Sequence, residues 1–181
     1  MAPRSRLEIH GTGPRVTDVQ QPRVGRPGPE HAGEVLTVQR AAYVTEAQRY
    51  DTPHIPPLIE SLAELRADLA VDSPLLVARA VWLGPRLVGS VRGRVAGAEM
   101  EVARLTVAPD LQGRGLGRAL LDAVHAAAPA GVSTCWLLTG ARSDDNIRLY
   151  ARAGSRHLAR RATRTRCARR SRGRRPRGTV G

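Results

Sequence analysis

Three glycines in five residues, Gly113, Gly115 and Gly117, stand out as positions whose type and spacing could do chemistry. They lie in Gln112-Gly113-Arg114-Gly115-Leu116-Gly117. Glycine turns freely and lets a ligand approach the backbone, so successive amides can converge on one anion. A helix starting at such a loop adds its own unpaired N–H groups and the positive end of its dipole. The pattern is that of a phosphate cradle, with Arg114 and Arg118 beside it as extra positive charge. Two common phosphate loops are excluded. A Gly-Lys-Ser/Thr ending cannot occur because the chain has no lysine. A dinucleotide fingerprint needs Gly-x-Gly-x-x-Gly and an acid about 20 positions on. Here the spacing is Gly-x-Gly-x-Gly, and after Val132 no Asp or Glu occurs before Asp144.

The flanking elements must hold this loop. Leu105 and Val107 alternate with Arg104 and Thr106 before Pro109, which reads as a strand and its stop. Leu116, Leu120 and Val124 recur every fourth position and give the following helix its apolar stripe. Strand, glycine loop and helix, written Glu101-x-x-Arg104-Leu105-x-Val107 and then Gln112-x-x-Gly115-x-Gly117, closely resemble the coenzyme A motif of the GNAT superfamily of N-acetyltransferases. The resemblance covers roughly residues 23–154. A second run, Asn146-x-x-x-Tyr150-x-x-x-Gly154, is similar to the other GNAT motif, and its Asn and Tyr share one helix face.

The resemblance implies acetyl-coenzyme A as cosubstrate and an amine as acceptor, attacked directly without an acyl-enzyme. It implies that backbone at Leu105, Thr106 and Val107 pairs with the pantetheine arm between splayed fourth and fifth strands. Gln112, Gly113, Arg114, Gly115, Leu116, Gly117 and Arg118 would surround the pyrophosphate, with Asn146 as a further contact. Glu101 falls where the family often keeps a base, which a protonated amine requires. Glu99 is the alternative, two residues earlier on the same strand face. Tyr150 would protonate the departing thiolate.

In chain order, residues 1–22 read as a flexible leader, with a loose extra strand around Arg15–Val19. A short strand within Pro22–Pro29 precedes a helix with Val35, Leu36, Val38 and Ala42 on its apolar face. Three prolines suggest a loop from Tyr43 to Pro57 and make Tyr43, Tyr50 and His54 candidates for touching an acceptor. A second helix is expected over Leu58–Leu69, then strands Leu75–Trp82, Leu87–Val95 and Glu99–Val107, and a fifth strand Val132–Thr139. The expected fold is a GNAT-like mixed, mostly antiparallel central sheet flanked by helices.

Charge divides the chain. Residues 155–181 hold eleven arginines and no acid, while residues 1–154 hold 18 arginines against 16 acids. So arginine-rich an end, poor in large apolar residues, reads as a disordered tail replacing the family's last two strands. The fifth strand would then carry an open edge, inviting a homodimer. The tail suits nucleic acid or another anionic surface. The alternative to an enzyme is therefore a coenzyme A-binding domain without turnover, with the tail acting in binding. Two cysteines, Cys135 and Cys167, suggest neither a disulfide framework nor a metal site. No membrane-length apolar run or signal-peptide core occurs, and the cytoplasm is the expected compartment.

Overall fold

The computed structural model describes residues 21–70, 73–138, 156–159 and 162–166. In chain order the elements are β1 (Arg23–Gly25), α1 (Ala32–Tyr50), α2 (Pro56–Ile59), α3 (Leu62–Ala70), β2 (Leu76–Leu83), β3 (Arg86–Ala96), β4 (Glu99–Val107), α4 (Leu116–Ala126), β5 (Thr134–Leu138), β6 (Arg156–Ala159) and β7 (Ala162–Arg166). They build a seven-stranded sheet in the order β1-β2-β3-β4-β5-β7-β6. All pairs are antiparallel except β4 with β5.

Alternation along β3 assigns the two faces. A Cβ on Gly89 would meet Leu120 of α4, whereas Arg92 reaches Gln39 of α1. From Gly89 onward, odd-numbered residues of β3 therefore face α4 and even-numbered ones face α1. Val81, Val88, Val91, Met100, Leu120, Leu121 and Val124, all fully buried, form the core on and beneath the sheet.

Several expectations need correction. Residues 43–50 continue α1 rather than forming a loop: Ala41 to Arg49 contains no proline or glycine, and the helix stops at Asp51 in a left-handed conformation (φ 49°). The helix expected over Leu58–Leu69 breaks at Glu60, whose backbone is extended (φ −56°, ψ 131°). Ser61 then caps α3. Its N–H and hydroxyl bond the Glu64 carboxylate at 2.8 and 2.7 Å, and its Oγ accepts from Glu64 N–H at 3.2 Å. This is a capping box, legible as Ser-x-x-Glu.

The last two strands are not missing. β7 pairs with β5 from Thr134↔Arg166 to Leu138↔Ala162, so the β5 edge is covered and the argument for a dimer along it lapses. Adding a strand to an existing edge draws on backbone hydrogen bonds and does not require the apolar residues whose scarcity suggested a tail. Cys135 is disulfide-bonded, which corrects the reading of both cysteines as unbridged. Cys167, the sequence's other cysteine, lies outside the described residues, as do the leader and its Arg15–Val19 strand, the helix expected from Ser143, and residues 167–181.

Candidate active site

Pairing between β4 and β5 is short: Glu99↔Thr134, Met100↔Cys135 and Glu101↔Trp136. Beyond Glu101, β4 has no strand partner on that side among the described residues, while its other edge stays paired with β3 as far as Gly89↔Val107. The divergence coincides with a bulge. Between Ser90↔Thr106 and Arg92↔Ala103, β3 has one intervening residue and β4 has two, Arg104 and Leu105. Arg104 takes up the distortion with φ 55°. Such a bulge bends a strand and increases its twist. Ala108 N–H donates to Val88 O at 2.8 Å, so the preceding amide, that of Val107, faces the open edge. The Thr106 hydroxyl is turned inward onto Ser90 Oγ at 3.2 Å, leaving only backbone to offer there.

The glycine loop follows a short 3-10 turn, Pro109–Leu111, tied to the β2–β3 hairpin by a two-bond pair of Arg86 with Asp110 at 2.7 and 2.9 Å. Gly113 and Gly115 have φ 78° and 80°, and a Cβ built on either meets nothing within 4 Å. Internal packing thus does not demand glycine there; the backbone angle does, and the absent side chains leave the loop open from outside. Gly115 caps α4, and the first intrahelical bond runs from Ala119 N–H to Gly115 O at 3.1 Å. The amides of Leu116, Gly117 and Arg118 therefore have no intrahelical acceptor. Gly117 sits inside the first turn of the helix rather than in the loop.

Leu116 buries its side chain in the core and has only its amide to contribute. Arg114 is exposed. Arg118 pairs with Asp122 one turn on, at 2.8 Å, and Gln112 Nε2 reaches Val107 O at 3.4 Å. An open backbone edge leading to a cradle of free amides fits the extended, anion-ended shape of coenzyme A.

On the α1 side lies an open cavity of about 390 Å³, lined by Pro56, Ile59, Glu60, Glu64, Asp68, Arg94 and Arg104. Beside it Arg92, 4% exposed, bonds both oxygens of Glu60 at 2.8 and 2.6 Å. Gln39 completes the group, donating to Glu60 at 2.7 Å and accepting from Arg92 at 3.0 Å. Burial pushes the Glu60 carboxyl up, but hydrogen bonds from Arg92 and Gln39 and the charges of Arg92 and Arg104 together bring it below its ordinary value. Burial pushes the Tyr43 hydroxyl up, against the nearby charges of Arg104 and Arg92, so it stays a donor.

Glu101 stands opposite Arg94 across the strands and so on the same face as Arg92 and the cavity. It makes no hydrogen bond or ion pair among the described residues. Glu99 lies two residues back on that face, opposite Ala96. Tyr43 is on α1 one turn beyond Gln39, Tyr50 closes that helix, and His54 is exposed in the loop beyond it. Asn146 and Tyr150 lie outside the described residues. Sequence reasoning missed the Arg92–Glu60–Gln39 group and the special position of Arg104. An arginine inside the apolar run of β3 was the available signal for the first; a bulge carries none in sequence.

Comparisons with known proteins agree with this geometry. The profile of the Acetyltransferase (GNAT) family matches residues 40–154. No curated protein sequence shows significant similarity to the chain. Solved structures do. PaiA N-acetyltransferase from Thermoplasma acidophilum, in complex with coenzyme A, is 13% identical with a TM-score of 0.67, over 81% of this chain and 99% of that one. The Escherichia coli ribosomal-protein-S18-alanine N-acetyltransferase is 16% identical, TM-score 0.63, over 84% and 97%. A GNAT family acetyltransferase from Brucella melitensis, in complex with acetyl-CoA, is 18% identical, TM-score 0.60, over 83% and 90%. At these identities the likeness is one of fold.

Proposed function

The chain belongs to the GNAT acetyltransferase family, and from that premise we propose that it moves an acetyl group from acetyl-coenzyme A to a primary amine. The observation that carries the reading is the continuity of the β4 edge, which beyond Glu101 has no strand partner on that side among the described residues, with the open, left-handed glycines at the head of α4. Acetyl-coenzyme A, when bound, supplies an acyl carbon activated by a thiol leaving group.

The chain's own residues do the rest. Amides of residues 116–118, at the positive end of α4, hold the pyrophosphate, with Gly113 and Gly115 keeping side chains out of its way. Backbone of residues 105–107 extends the sheet onto the pantetheine arm, and an amide of this segment, of which Val107 faces the open edge, stabilises charge developing on the acyl oxygen. Glu101 takes one proton from the ammonium so that the amine nitrogen can attack the acyl carbon; collapse of the tetrahedral adduct breaks the C–S bond, and the second proton lost by nitrogen balances the one the thiolate gains. A carboxylate with no partner among the described residues suits this task better than Glu60, whose oxygens are already engaged by Arg92 and Gln39. Asn146 adds a cofactor contact and Tyr150 returns a proton to the leaving thiolate, both on the strength of the motif they form.

The test is a panel of primary amines with acetyl-coenzyme A and a free-thiol readout, beside a calorimetric titration of coenzyme A. Amine-dependent thiol release is expected. Binding without release from any amine would instead leave a domain that holds the cofactor without turnover.

A further inference from the structure

The transfer reaction gives no role to the side chain of Arg104, although the bulge that this residue occupies belongs to the site. Arg104 occupies the bulge of β4 with φ 55°, a conformation that strains an L residue and that glycine adopts freely. It lines the cavity on the α1 side. Its Nε is buried and has no hydrogen-bond partner. The nearest acid is Glu60, whose Oε2 is 3.9 Å away, beyond hydrogen-bond reach.

The cavity's acids are already committed. Glu60 is held by Arg92 and Gln39, Asp68 by Arg94 at 2.7 Å, and Glu64 by the Ser61 N–H and hydroxyl. Of the two arginines lining this wall, Arg94 is bonded to Asp68, while Arg104 makes no hydrogen bond among the described residues. A cavity-lining guanidinium whose buried Nε makes no hydrogen bond is placed to receive an anion.

We propose that Arg104 binds a carboxylate carried by the acceptor, so that the amine acetylated here belongs to an amino-acid-like molecule. The inference rests on the acetyltransferase reading above and adds the chemical class of its acceptor. Arg104 lies three residues along β4 from Glu101, so carboxylate and amine would be held at neighbouring stations of one strand. A cationic acceptor drawn by Glu60, Glu64 and Asp68 is the competing reading, and the commitment of those acids to other partners counts against it.

The experiment uses the full chain, acetyl-coenzyme A and a set of α-amino acids, each beside its own amide, with simple diamines included. Amidation makes the neighbouring amine less basic, so amine availability alone favours the amide. The inference expects the acid to be preferred by roughly 10- to 100-fold in kcat/KM. Arg104→Met should erase that ratio and Arg104→Lys restore part of it, since lysine keeps the charge and loses the fork. Arg104→Gly should erase it without lowering the melting temperature, because glycine relieves the positive φ.

Where turnover is too slow to rank, the same acid and amide pairs are titrated against the protein saturated with coenzyme A. Equal handling of acid and amide overturns the inference, as do a preference for diamines, a ratio that survives in Arg104→Met, and the absence of binding by every acid. Failure of the acetyltransferase reading appears separately, as coenzyme A binding without thiol release from any amine or as no heat on titrating coenzyme A, and takes this inference with it.

Discussion

Two glutamates on one face of the sheet have opposite circumstances. Glu101 has no partner among the described residues, and its ability to act as base depends on staying that way. Glu101→Gln keeps the shape and removes the proton acceptor. It should lower kcat by about 10²- to 10⁴-fold and flatten the acid side of the pH–rate profile, with coenzyme A affinity unchanged. Steady-state kinetics across pH decide this; an unaltered rate moves the role to Glu99 or to water.

Glu60 is structural. It is 11% exposed and Arg92 is 4% exposed, so Glu60→Gln leaves a buried guanidinium poorly compensated and should cost about 3–5 kcal/mol. Its ordinary value is 4.5 and the folded chain holds it lower. Above 4.5 both folded and unfolded states are ionised, and the contribution of Glu60 is fully present. As pH falls through that value the unfolded state takes up the proton first, and the contribution is lost toward the depressed folded pKa. Denaturant midpoints should therefore fall from roughly pH 5 to pH 3 less steeply in Glu60→Gln than in the parent.

At the scale of elements, the site is a consequence of how β3 and β4 meet. Gly89 permits that meeting, since a Cβ there would lie 2.7 Å from Thr106 O, a backbone atom that cannot swing aside. Gly89→Ala should push the strands apart beside the bulge and cost about 1–3 kcal/mol, measured by chemical denaturation. The matching contact at Gly93 is with Met100 Sδ, part of a flexible side chain, and Gly93→Ala should be milder.

The strand Glu99–Val107 and the helix with its Leu116, Leu120 and Val124 stripe were legible in sequence because each has an unbroken period between clear stops. The bulge was not. Arg104 alternates with its neighbours as any strand residue does, and only pairing with β3 reveals the extra residue. The full length of helix α1 is masked in the sequence by Tyr43, Thr45 and Tyr50, although no proline occurs between Pro29 and Pro53. The Ser61–Glu64 box is legible as Ser-x-x-Glu, but it lies within a continuous leucine spacing that suggests one unbroken helix.

For the whole molecule, the C-terminal strands change the expected behaviour. In Ala162-Thr163-Arg164-Thr165-Arg166 the period is two and the threonines are β-branched, a strand signal that the arginine content outweighed in the sequence reading. β7 covers the edge of β5 at five register positions. Amides of Thr134 to Leu138 should therefore exchange slowly in a dilute sample. Fast exchange there would show an open edge and restore the case for association along it. Asn146 and Tyr150 were legible only as a motif, and their roles rest on it.

The claim on which the account turns is that the glycines before α4 keep a backbone cradle open for the cofactor. Calorimetric titration of coenzyme A into the parent and into Gly115→Val tests it most directly. Valine has room within the fold but cannot easily hold φ 80°, and its side chain would stand where the ligand must approach. One site per chain is expected in the parent, and at least tenfold weaker binding in Gly115→Val. Equal affinity in the two proteins would contradict the claim.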